Sequence, residues 1–190
     1  MAGSNKVLKI GVIAEETNDI EVLYEYTRKL VAENSFSFNR FVGHGCGALR
    51  RKCRAWADNL AKRGCSHIVV IHDSDGGDEK KIRMDLERKL KGVSGLSVVL
   101  IPVEEVEAWL LADPEAIKTV FKMRKTPRVS LHPERIHDPK EYLRDLVAKG
   151  SKSHYINTIH NKKIAAQQRL DSLDRCPSFS HYPKFLVGAT

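Results

Sequence analysis

The sequence predicts an α/β fold: a parallel sheet of about four strands with flanking helices, followed by a helical C-terminal extension. Apolar runs of strand length alternate with helical periodicity through residue 121, the order that βαβ units produce. The runs are continuously apolar rather than alternating, as strands covered on both faces are. A chain of 190 residues, 42% hydrophobic and 29% charged, is long enough to bury one core without staples. Residues 1–121 read as the α/β core and 122–190 as a loop-and-helix extension packed on it, one domain in all.

The elements follow in order. Lys6 to Glu15 reads as a buried strand. A helix follows, with Ile20, Leu23, Tyr24, Thr27, Leu30 and Val31 at helical spacing, Asn18 or Asp19 as N-cap and Asn34 as a stop. Phe36 to Gly43 reads as a second strand. The turn GHGCG leads into a helix whose apolar face carries Leu49, Cys53, Trp56 and Leu60, ended by Gly64. HIVVIHDSD is the third strand, and its helix carries Ile82, Leu86 and Leu90. LSVVLIPVEE is the fourth strand. EVEAWLLA is helical, and Asp113-Pro114 starts a fresh helix through Phe121.

Beyond Lys122 the pattern weakens. KMRKTPRVSLHPERIHDP is basic, contains three prolines and reads as a long surface loop. PKEYLRDLVAKG and NTIHNKKIAAQQRLDSLDRC read as two helices, and CPSFSHYPKFL closes the chain. These helices need the sheet to bury their apolar faces.

The N-terminus lacks a secretory apolar stretch, and no run is long enough to cross a bilayer, so the expected location is cytoplasmic. Cys46, Cys53, Cys65 and Cys176 show no CxxC pairing, which argues against zinc and for reduced structural thiols. The net charge of +8, with a pI near 9.4, favours anionic partners, nucleic acid first.

Against that positive charge, three strand ends carry acid. Glu15 and Glu16 close the first strand, Asp73 and Asp75 the third, with Asp78 beyond, and Glu104, Glu105 and Glu107 the fourth. In an open parallel sheet, ligands gather outside these carboxyl ends. Asp73 and Asp75, spaced i, i+2, are expected to leave the strand side by side. Clustered carboxylates repel, and a hard divalent cation with oxygen ligands relieves the repulsion. The plain alternative is a polar loop in which Asp75 or Asp78 caps the next helix. Capping also accounts for Asp19 and Glu105, but less well for Glu15-Glu16 together with Asp73-x-Asp75.

AEETNDIEVL resembles the first motif of Toprim domains, with Glu15 matching the glutamate and Asp19 the acid four residues on. Glu16 stands where that motif usually has glycine. HDSDGGD resembles the second motif, its paired aspartates matched by Asp73 and Asp75. IPVEEVEAWLLADPEA, with Glu107 and Trp109, is similar to the E-x-W helix of small stand-alone Toprim-like proteins related to the RloB and OLD nuclease groups, as is CPSF. The resemblance covers roughly the first two-thirds of the chain and implies a Toprim-like, Rossmann-like sheet. It further implies that Glu15, Asp73 and Asp75 are catalytic and hold Mg²⁺ or Mn²⁺ next to a phosphodiester. Glu105 or Glu107 would help a second ion, and Glu15 alternatively serves as general acid or base.

Arg50, Arg51 and Arg54 on the second helix, and Lys122, Arg124 and Lys125 in the proline-bearing loop, are candidates for nucleic-acid phosphates. The competing account is a solvated basic face. His72 is expected on the opposite side of its strand from Asp73, as a core or supporting group, and Trp56 and Trp109 in the core.

The expectation is a metal-dependent phosphodiesterase acting on DNA or RNA. By the resemblance alone it belongs to prokaryotic nucleic-acid processing or anti-phage defence. An ATPase partner is admitted on the same analogy, though no residue requires one. The alternatives are a receiver-like or phosphatase-like phospho-aspartate domain, for which no fifth-strand lysine can be placed, and a non-catalytic nucleic-acid-binding adaptor.

Overall fold

The computed structural model describes residues 7–31 and 35–187. Four parallel strands, β1 (Leu8–Ala14), β2 (Phe36–Val42), β3 (His67–Ile71) and β4 (Leu96–Leu100), form one sheet in the order β2-β1-β3-β4. Helix α1 (Thr17–Leu30) joins β1 to β2 on one face. Helices α2 (Cys46–Lys62) and α3 (Glu79–Leu90) lie on the other. The chain moves outward from β1 to β2, then returns past β1 to β3, so the strand order reverses between β1 and β3. A crevice opens at such a switch point, and Glu15 and Asp73 close the two strands that flank it.

The two faces divide cleanly. Ile13, Ile68 and Val70 pack with Leu49, Cys53, Ala57 and Leu60 of α2 and with Ile82, Leu86 and Leu90 of α3. Ile10, Val12, Val69 and Ile71 pack with α1 and with the whole C-terminal region. That region comprises α4 (Glu107–Leu110), α5 (Pro114–Phe121), α6 (Pro139–Gly150), α7 (Asn157–Gln167) and α8 (His181–Val187), with 3₁₀ turns at Pro133–Arg135, Leu170–Arg175 and Pro177–Ser180. Phe121, Leu143, Ile164, Phe179, Tyr182 and Leu186 share this core, so the extension completes one face of the sheet. Gln168 is its polar node: it accepts from the Tyr26 hydroxyl at 2.7 Å and donates to the Trp109 carbonyl at 2.7 Å.

Several local expectations are corrected. α1 begins earlier than Asn18 or Asp19 would allow: Glu16 is its N-cap, and Asp19, at the third helical position, accepts from the Glu16 N–H at 3.0 Å. The stop at Asn34 lies outside the described residues. The EVEAWLLA helix is a single turn, because the backbone tightens into turns on either side. The helix expected from Asn157 to Cys176 stops at Gln167, and the remainder forms a 3₁₀ turn. Cys53, Cys65 and Cys176 are buried free thiols. No helix among the described residues is long and apolar enough to cross a membrane.

Candidate active site

The acids sit where the strands end, but they do not share one face. Past Ile13↔Val70 the β1–β3 register places Glu15 level with His72. Glu15 Oε1 lies 3.0 Å from His72 Nδ1, and His72 Nε2 accepts from Arg50 Nε at 2.9 Å. An Nε2 that accepts leaves the ring proton on Nδ1, which donates it to the Asp73 carbonyl 2.5 Å away, so that Glu15 Oε1 receives no hydrogen bond from the ring. Burial pushes His72 below the usual histidine range, so the ring is neutral. Glu15, His72 and Arg50 thus form a chain on the α2 side.

Asp73 turns to the other side. Its carboxyl is raised well above the usual range, first by desolvation and then by the charges of Asp19, Glu107, Glu15 and Asp75. Asp19 is raised by burial and by Glu107 and Glu16 nearby. Glu107, 1% exposed, is raised mainly by burial. Its Oε1 receives Asn161 Nδ2 at 3.0 Å and stands 2.9 Å from the Tyr155 hydroxyl, which itself lies 2.6 Å from Asn161 Oδ1. Tyrosine has one proton for its two contacts. Whichever way the amide is turned, satisfying all three pairings requires a proton on Glu107.

Asp75 does not run parallel to Asp73. The strand has ended at Ile71, and Asp75 adopts φ +46°, which breaks the i, i+2 alignment expected of a strand. Asp75 is exposed in an open cleft of about 530 Å³ lined by Arg50, His72, Ser74, Asp78 and Lys81. Its charge nonetheless bridges the two groups, because it raises both Glu15 and Asp73. Glu15 reaches about 7, through burial first and Asp75 second, while Arg50 opposes the shift. Asp78 caps α3, accepting from Lys81 N at 3.1 Å. Glu105 turns to α6, where Lys140 donates to it from both side chain and backbone.

Do these residues fit a cation? Among the described residues, three buried side-chain atoms lack any hydrogen-bond partner: Glu15 Oε1, Asp73 Oδ1 and, at the opposite end of β3, His67 Nε2. Two of the three are carboxylate oxygens at the switch point. A buried carboxylate oxygen without a donor is costly, and either a proton or a cation relieves it. No group of three or more His, Cys, Asp or Glu side chains among the described residues is already arranged to hold a metal ion. Mg²⁺ keeps several waters and needs only one or two carboxylates from the protein.

The candidate basic residues disperse. Arg50 is spent on His72. Arg54 pairs with Asp58 at 2.8 Å and donates to the Lys91 carbonyl at 2.8 Å, tying α2 to the end of α3. Arg51 is exposed. Lys122, Arg124 and Lys125 line a cleft with Lys149 and Lys152 where α5 and α6 both end, so part of this charge offsets helix carbonyls. Trp109, expected in the core, is fully buried; its Nε1 donates to Ser178 Oγ at 2.7 Å and its ring meets Phe179 edge-on. The E-x-W and CPSF segments are thus two halves of one contact. Asn161 escaped sequence reasoning, since an asparagine inside a basic helix carries no sign of burial.

A family model described as "Domain of unknown function (DUF4276)" matches residues 14–186. No curated protein and no solved structure matches the chain.

Proposed function

We propose that this chain, which belongs to the DUF4276 family, is a Mg²⁺- or Mn²⁺-dependent phosphodiesterase acting on DNA or RNA. The observation that carries the reading is the pair of buried, partnerless carboxylate oxygens, Glu15 Oε1 and Asp73 Oδ1, on the two strands flanking the switch point. The Toprim resemblance of the same residues supports it, as does the positive charge of the rest of the chain.

Glu15 and Asp73, turned to opposite sides of adjacent strand ends, and Asp75 at the cleft mouth would each offer a carboxylate to a hydrated ion, which would supply charge neutralisation for a phosphodiester and an acidified water. Glu15, at about 7, can take up or release a proton near neutral pH. His72 stands beside it: the Arg50 contact fixes the tautomer, and Nδ1 lies 3.0 Å from Glu15 Oε1 while donating to the Asp73 carbonyl. Asp19 keeps the Asp73 surroundings electronegative, and the protonated Glu107 is held by Tyr155 and Asn161. The phospho-aspartate alternative gains nothing, since the described residues form four strands and supply no fifth. A place in prokaryotic nucleic-acid processing or anti-phage defence, with or without an ATPase partner, belongs to the same proposal.

The test is incubation of the purified chain with plasmid and with RNA in Mg²⁺ or Mn²⁺. Nicking or cleavage that disappears in Asp73→Asn and Glu15→Gln is expected. Undiminished cleavage in both variants overturns the site.

A further inference from the structure

The outer side of α2 carries a feature that the acid site does not use. Trp56 is half-buried and stacks on Phe41 of β2, with ring centroids 5.3 Å apart and planes 2° from parallel. Lys52 Nζ stands 5.6 Å from the Trp56 centroid and the Arg63 guanidinium 5.2 Å from the Phe41 centroid. The order is cation, indole, phenyl, cation. A parallel stack this close leaves no room for an ammonium between the rings, so Lys52 covers the remaining indole face. Among the described residues, none of Arg51, Lys52, Lys62 and Arg63 has a carboxylate within ion-pair distance, and all four are exposed. By contrast, Arg54 on the α3 side of the same helix is fully engaged.

We infer that this strip binds single-stranded nucleic acid, with a base stacking on Trp56 in place of the Lys52 ammonium. Cations alone would track any duplex backbone; cations interleaved with a presented aromatic face suit unpaired bases. An exposed cation–π contact is weak enough for a base to displace, and the released Lys52 then meets a phosphate. From Arg51 to Arg63 the helix runs about 18 Å, enough for a few nucleotides. The strip begins beside the loop after β2, whose His44 N–H donates to the Glu15 carbonyl at 3.0 Å, so a strand lying on it leads to the acid site. This inference rests on the nucleic-acid reading above and names its substrate class as unpaired strands.

The experiment uses the full chain with chelator and no divalent ion, so that it reports binding independently of cleavage. A short oligo(dT) titrated into the protein should quench tryptophan emission saturably. Trp109 is fully buried and contributes a constant background, and Trp56→Phe should remove the quenching. With a labelled oligo, Trp56→Ala should weaken binding about tenfold while Trp56→Phe retains most of it. Lys52→Gln should lower the salt slope by roughly 0.7. Equal affinity of Trp56→Ala and the parent chain, or a duplex of the same length binding as tightly as oligo(dT), would overturn the inference. Loss of metal-dependent cleavage with intact oligo(dT) quenching would instead strike the catalytic reading alone.

Discussion

Nδ1 of His72 faces Glu15 Oε1 across 3.0 Å, while Nε2 of the same ring is held by Arg50 at 2.9 Å. The first turns of α2 thereby set the proton state of a group at the end of β3, which in turn faces the acid at the end of β1. The acids beyond them remain unrelieved.

The ion-free protein should lose stability as pH rises. Glu15 is raised from 4.5 to about 7, so the folded chain holds this proton more tightly than the unfolded chain does. Its contribution is complete below about pH 4.5 and is lost as pH climbs through about 7. The shift corresponds to about 3 kcal/mol. Asp73 and Asp19 move in the same direction. In thermal melts with chelator, Glu15→Gln and Asp73→Asn should each exceed the parent Tm at pH 8 and lose that advantage by pH 5. Variants that melt below the parent chain at pH 8 would contradict the account.

Divalent cations should reverse this trend. Because the ligands must be deprotonated, Mg²⁺ or Mn²⁺ should raise Tm at pH 8 and much less at pH 6. At a hundredfold excess over Kd the gain is about 2.7 kcal/mol. An equal gain in Asp73→Asn would place the ion elsewhere.

Tyr155→Phe should cost about 1 kcal/mol in urea denaturation, the loss of one buried hydrogen-bonding hydroxyl. It should also lower metal-dependent cleavage, because Glu107 keeps Asn161 alone as partner. Unchanged stability would mean that the Tyr155–Glu107 contact does not hold the extension to α4.

Trp109→Phe should destabilise by roughly 1–3 kcal/mol, since it leaves Ser178 Oγ without its indole donor and opens space beside Phe179. Protease cutting that moves to the region after Cys176 would mark the released segment. Cutting unchanged from the parent chain would argue against this anchor.

The four strands, their parallel order and the acids at their ends were legible because apolar runs and acidic punctuation are local signals. The division of those acids was not. Strand alternation placed His72 opposite Asp73, but the consequence, Glu15 grouped with His72 and Arg50 on the α2 side, depends on the β1–β3 register, a non-local quantity. The turn of Asp75 into φ +46° likewise follows from how the β3–α3 loop docks on Glu104, whose carbonyl accepts the Asp75 N–H at 3.2 Å. Arg54 read as a phosphate ligand by its charge, and only the placement of α3 reveals the Lys91 carbonyl that occupies it. Trp56 read as core by its spacing. It lies at the rim because β2 is an edge strand with Phe41 beside it.

The most direct test of the central claim is calorimetric titration of Mn²⁺ into the parent chain, Glu15→Gln and Asp73→Asn at pH 8. The account predicts saturable binding to the parent chain that is weakened tenfold or more in each variant. Identical isotherms for all three proteins, or no heat at millimolar Mn²⁺, would contradict it.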